Sequence, residues 1–322
     1  MTIGVLEPAP VYVPSTIKSV GIINRSSVSD KNKLADNVDK VLSAEGKNLD
    51  KEGALKCIQG IHDEFLADSL FLTVSIIDSI PLSSPGLGIL PAQLSWDTID
   101  KLCDANNVDA IFELSFFDTD AKIAYTPVPV QVEGPLGIIV QAIENHVTIT
   151  TQIKTGWRIY NPSSKTILDN YSINNSVTST GVGINPLKAV EAVIGRKEAV
   201  LQESYEIGQT YTTRLLPYRI RVEREYYVRG TDNFKIAKRR AQTGNWDGAA
   251  ELWFKETTNP KSKVAGGAYY NMAIISEING ELDIAVDWAS KAYSDYNNKT
   301  ALWYLNELKY RIARNKELHM QE

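Results

Sequence analysis

The stretch AYYNMAIISEINGELDIAVDWASKAY, residues 268–293, decides how the last third of the chain is built. Small residues on either side of Gly280 let two helices approach closely, and the glycine makes the tight turn between them. An earlier segment aligns with it at a spacing of 36 residues. Ala237, Gly244, Trp246, Ala249 and Ala250 stand opposite Ala273, Gly280, Leu282, Ala285 and Val286. A final helix over 300–315, with Leu302, Leu305, Leu308 and Ile312 inward, reads as a cap.

The same segment resembles a tetratricopeptide repeat, with Ala273, Gly280, Ala285 and Ala292 at four of its signature positions. It departs from that pattern at Tyr269 (usually Trp), Ser276 (usually Tyr), Ala289 (usually Phe) and Asn297 (where Pro is common). The period exceeds the ~34 residues of the family, the excess lying in the polar connector TTNPKSK, residues 257–263. The resemblance implies a stack that binds through the concave face lined by the first helix of each hairpin. On this alignment that face exposes Phe234, Lys238, Ala241, Tyr270, Ile274 and Glu277. Lys235, Arg239 and Arg240, together with Lys238, form a basic cluster. It is either a solvated helix face or a patch for an acidic peptide or anionic headgroups.

Upstream the pattern changes. Residues 17–24 (IKSVGIIN) are an apolar, β-branched run that ends in the turn-prone NRSSVSD, and read as a strand. A helix over 50–67 carries Leu55, Ile58, Ile61 and Phe65 on one face. A strand over 70–78 and a loop marked by Pro81, Pro85, Gly86, Gly88 and Pro91 follow. Ser95 caps a helix over 95–106, and 108–117 is apolar on both faces, so it is a central strand. This order predicts an α/β layer with right-handed crossovers.

Residues 125–139 (YTPVPVQVEGPLGII) read as an ordered loop broken by Pro, and as a second candidate contact. A strand from Val147 to Tyr160 turns at Asn161-Pro162 into a partner over 166–173. Asn185-Pro186 starts a helix that runs to about Gln209, and an amphipathic strand over 218–228 closes the domain. The expected fold class is therefore α+β/α: an N-terminal α/β sheet domain followed by an all-α, TPR-like helical-hairpin domain. Residues 1–16 are a proline-rich tether, 17–229 the sheet domain and 230–322 the helical domain.

After such a tether, this order looks like the α/β domain of the TolB amino-terminal region and of curli-secretion lipoproteins. Joined to a TPR-like tail, it resembles an uncharacterised family of Bacteroides-type envelope lipoproteins. The resemblance implies a periplasmic protein tethered to the outer membrane by an N-terminal lipid anchor removed from this chain. By itself the start MTIGVLEPAPVYVPS, which lacks the features of a signal peptide, also fits a cytoplasmic protein.

Composition narrows the function. Hydrophobic residues make up 43% and charged residues 23%, ordinary for a folded globular chain. The formal charge of −5 argues against a nucleic-acid partner. Cys57 and Cys103 read as buried thiols, or as a mutual disulfide if both helices lie on one side of a sheet. Among His62, His146 and His319 no two stand at metal-binding spacing, so no metal and no cofactor are expected. TGVG at 180–183 is a flexible loop or, alternatively, an anion cradle. Glu113, Asp118 and Asp120 are strand-end carboxylates without a nucleophile or base beside them. A salt bridge from Glu113 to an Arg of 218–228 is the simpler expectation. No catalytic residue is assigned. The leading expectation is a non-enzymatic envelope scaffold or adaptor that binds another protein through the helical concave face. The alternatives are a hydrolase of a small molecule or glycan using those carboxylates, and an oligomeric secretion-related lipoprotein.

Overall fold

The computed structural model describes residues 1–26, 37–78, 89–133, 137 and 139–321. They form two compact units, Val11–Leu215 and a second made of Met1–Pro10 with Leu216–Glu322. The fold is α+β, a mixed sheet followed by a run of helices.

In the sheet unit, β2 (Ser19–Asn24), β3 (Thr73–Ile77), β4 (Ala110–Glu133), β5 (Ile139–Asn161) and β6 (Thr166–Gly183) are ordered β3-β2-β4-β5-β6. Parallel pairs join β2 to β3 and β4, and the rest is antiparallel. Successive strand residues point to opposite faces. Ile22 and Phe112 therefore meet α1 (Asn37–Ala67) and α4 (Arg196–Thr212) on one side, and Ile23 and Ile111 meet α2 (Trp96–Asn106) on the other. Cys57 lies in the first core and Cys103 in the second, and both thiols are free. The sheet separates them, which removes the disulfide alternative.

The helices α1 and α4 touch backbone to backbone. A Cβ on Gly60 would lie 2.1 Å from the Tyr205 carbonyl oxygen, and one on Gly208 2.1 Å from that of Cys57. The expected caps form: the Ser95 hydroxyl accepts from the Thr98 N–H, and the Asn185 carboxamide oxygen from that of Lys188.

Three expectations fail here. Residues 125–133 are not a loop but the end of β4, and Ile139 begins β5. Beyond Leu114 the strand β4 has no β2 partner, so Pro127 and Pro129, which lack a donor, sit on an open edge where no ladder bond is lost. The single helix from Asn185 is instead α3 (Pro186–Glu191) and α4, broken at Gly195 with φ +76°. Ile194, next to that break, is exposed. TGVG is strand, its Gly181 and Gly183 pressed against the backbone of Ala189. The turn at 27–30 and the loop residues Pro81, Pro85, Gly86 and Gly88 lie outside the described residues.

The second unit corrects the domain boundaries. Residues 2–7 are no tether: β1 (Thr2–Glu7) pairs antiparallel with β7 (Tyr218–Glu223), from Thr2↔Glu223 to Glu7↔Tyr218. The flanking prolines hid this strand, and its partner lies over 200 residues away in sequence. β7, expected to close the sheet domain, thus belongs with the helices.

These are α5 (Asp232–Gln242), α6 (Trp246–Glu256), α7 (Ser262–Ile278), α8 (Leu282–Ser294) and α9 (Lys299–Gln321). Gly244 and Gly280, at φ +81° in both cases, form the turns of two successive hairpins. The aligned Ala237, Ala249, Ala273 and Ala285 are all fully buried. On α9 Ala301, Tyr304, Leu308 and Leu318 are buried and Leu305 and Ile312 pack against the core, while Leu302 is exposed.

Candidate functional site

The face of the hairpins expected to bind holds the unit's own chain. Past Glu223 the ladder continues for one residue: the Arg224 N–H donates to the Met1 carbonyl and the Met1 amino group to that of Arg224, each at 2.8 Å. Residues 224–229 (REYYVR) then run across α7 to the start of α5.

Arg224 delivers a two-pronged contact, Nε to Glu277 Oε2 at 2.8 Å and Nη2 to Oε1 at 3.0 Å. Glu277 is 1% exposed and also accepts from the Tyr304 hydroxyl at 2.7 Å and from Arg311 Nη1 at 2.6 Å. Burial alone would raise the Glu277 carboxyl; the hydrogen bonds from Arg224, Tyr304 and Arg311 overcome this and hold it below the usual carboxylate range. The Tyr304 phenol is driven well up, first by burial and then by the adjacent Glu277 charge.

Nearly two turns earlier on α7, Asn271 holds the backbone of the segment. The Tyr227 N–H donates to Asn271 Oδ1 at 2.8 Å, and Asn271 Nδ2 donates to the Tyr227 carbonyl at 2.7 Å. This clamp reads main chain and not side-chain identity. The Tyr227 ring meets Tyr270 edge-on at 5.3 Å, and Tyr226 packs on Trp246 and Trp253. Beside the segment lies a cavity of about 320 Å³, lined by Glu225, Tyr226, Tyr227, Val228, Arg229, Tyr270 and Thr300. Burial, with Tyr227 next, pushes the Tyr270 phenol up to about 12.

The expected concave surface is therefore corrected. Phe234 and Ala241 are buried in a core with Trp253 and Ala268, and Tyr270 and Ile274 in another with Ala285 and Tyr304. Glu277 is buried beneath Arg224. Of the six residues only Lys238 keeps partial exposure. The 224–229 segment covers that face, with Tyr226 and Tyr227 packed against both helical cores. In the basic cluster Lys235 pairs with Asp232 at 2.9 Å and Arg240 donates to the Gly248 carbonyl, while Arg239 is exposed. Arg224, Tyr226, Tyr227 and Asn271 were missed by sequence reasoning. The only signal was REYYVR itself, aromatic residues between two arginines just past a strand.

Of the strand-end carboxylates, Glu113 sits in an ion-pair cluster. Glu113 is fully buried, 3.0 Å from Arg25 and 3.6 Å from Arg158, and neither arginine comes from 218–228 as expected. Those arginines also donate to the Ala92 and Pro91 carbonyls, which ties down the entry to α2. Asp118 is buried and Asp120 exposed. His62 pairs with Asp63 at 3.1 Å on the surface of α1. Among the described residues no group of three or more His, Cys, Asp or Glu could hold a metal, and no helix is long and apolar enough to cross a membrane.

A mixed-sheet unit and a unit of helical hairpins that holds an extended segment together define the class of this protein. The chain belongs to the family described as Domain of unknown function (DUF8603), whose model matches residues 17–227. A second model, Domain of unknown function (DUF6340), matches residues 235–310. No curated protein matches. Among solved structures the chain is similar to the PelC dodecamer from Paraburkholderia phytofirmans, at 10% identity and TM-score 0.26, over 67% of this chain and 98% of that one. It is also similar to a neuraminyllactose-binding hemagglutinin homolog from Helicobacter pylori, at 9% identity and TM-score 0.27, over 66% and 89% respectively.

Proposed function

We propose that this protein is a non-enzymatic scaffold that binds another protein through its helical unit. The observation that supports this reading is the grip on residues 224–229. Asn271 holds main chain, Glu277 holds an arginine, and an aromatic wall holds tyrosines. These are the means by which a surface holds an extended polypeptide. The placement in the cell envelope, with a lipid anchor upstream of this sequence, rests on the resemblance to envelope lipoproteins.

In-cell crosslinking with mass spectrometry tests the reading. The expected result is one protein partner whose crosslinks map to α5–α9. Crosslinks confined to the sheet unit, or no reproducible partner, would overturn it.

A further inference from the structure

The 224–229 segment has a used side and an unused one. Tyr227 spends both backbone groups on Asn271. The backbone N–H and C=O groups of 225, 226, 228 and 229 have no partner among the described residues. In an extended chain, alternate residues direct these groups to opposite sides, so those of Tyr226 and Val228 face away from Asn271. An open edge of this kind is a template for another strand.

Three further observations point to an occupant. The cavity runs along all five residues from Glu225 to Arg229. Its wall includes Tyr270, which is 3% exposed and whose hydroxyl has no hydrogen-bond partner among the described residues. Glu225 and Arg229 are exposed, opposite in charge and without an ion pair among the described residues. Four residues of strand put them about 13 Å apart.

An antiparallel strand that satisfies both charges carries an acidic residue opposite Arg229 and a basic one four positions later, opposite Glu225. EYYVR, residues 225–229, has that order itself. Centred on Tyr227, two copies place Glu225 against Arg229 twice and bring the free backbone groups of Tyr226 and Val228 together. Tyr227 faces its own counterpart at a position that needs no ladder bond, in keeping with its use by Asn271. We propose that residues 225–229 form a two-fold dimer interface in which a second copy of this chain adds its own 225–229 strand antiparallel. The interface is separate from whatever partner the scaffold binds.

The experiment is sedimentation velocity on the full chain over a concentration series, with Glu225→Arg and Arg229→Glu made singly. Both residues are exposed, so the melting temperature should stay unchanged and serves as the folding control. Wild type is expected to dimerise, and each single variant, which places like charges opposite each other, to weaken the dimer at least ten-fold. Mixing the two variants restores opposite charges at both positions and should restore a dimer of one copy of each. The double variant should recover as a homodimer. A wild type that stays monomeric at 100 µM, or a dimer indifferent to the reversals, overturns the proposal. So does a chain that stays monomeric while a different protein crosslinks along 225–229, since that would assign the edge to that protein. Loss of the dimer in the single variants with an unchanged crosslinked partner would leave both readings standing.

Discussion

Glu277→Gln isolates the buried cluster under residue 224. The substitution keeps shape and an acceptor oxygen but removes the charge that balances Arg224 and Arg311. Removing one member of a buried ion pair typically costs about 3–5 kcal/mol, because the remaining charge stays buried and unpaired. Gln still accepts from Tyr304, so the lower end, roughly 3 kcal/mol, applies. For a unit of this size that is a fall in Tm of roughly 10 °C in its transition.

The pH dependence gives the cause. The folded-state pKa of Glu277 lies below the ordinary value. Its contribution is therefore complete above the unfolded-state value of about 4.3 and is lost as pH falls through the lower folded value. Scanning calorimetry from pH 8 to pH 3 should show a constant gap between wild type and variant down to about pH 4.5, then a narrowing one. The exposed Glu281→Gln serves as the control, with a change within about 0.5 kcal/mol. A gap below about 1 kcal/mol at pH 7, or one that widens in acid, would refute the reasoning.

Asn271→Ala leaves the Tyr227 N–H and carbonyl without the clamp and should cost about 1–3 kcal/mol in urea unfolding of the helical unit; a loss under a few tenths would show that water replaces it freely. Gly60→Ala forces α1 off α4 and should destabilise the sheet unit by about 1–3 kcal/mol or more, read from its urea midpoint, with Gly208→Ala behaving alike. A neutral Gly60→Ala would mean the helices lie farther apart than described here. Burial raises the Cys103 thiol to about 11, with Asp100 next in effect, and drives the Cys57 thiol well above its ordinary value. At pH 8 neither thiol should react with a disulfide reagent until the protein unfolds, and a rate matching an unfolded control would contradict that burial.

The local signals that a short stretch of sequence carries were readable. Two hairpins came from a 36-residue spacing of alanines around Gly244 and Gly280, because helix packing demands small residues and a turn demands positive φ wherever they occur. The caps at Ser95 and Asn185 and the central strand of β4 were equally local, and so was the burial of both cysteines.

Tertiary structure decided whatever depended on a distant partner. Strand β1 was hidden because its prolines are local and its pairing with β7 is not. Pro127 and Pro129 signalled a loop until the fold left β4 an open edge there. On α9 Leu308, Leu305 and Ile312 face the core as their spacing suggests, but Leu302 is exposed and the inward place beside Glu277 goes to Tyr304, whose hydroxyl donates to that carboxylate. Most of all, periodicity could rank Phe234, Tyr270, Ile274 and Glu277 as one face of the helices, but could not say whether that face meets solvent. That was settled by Arg224, Tyr226 and Tyr227. Their route across α7 is dictated by a buried carboxylate and a carboxamide that lie 53 and 44 residues further along the chain.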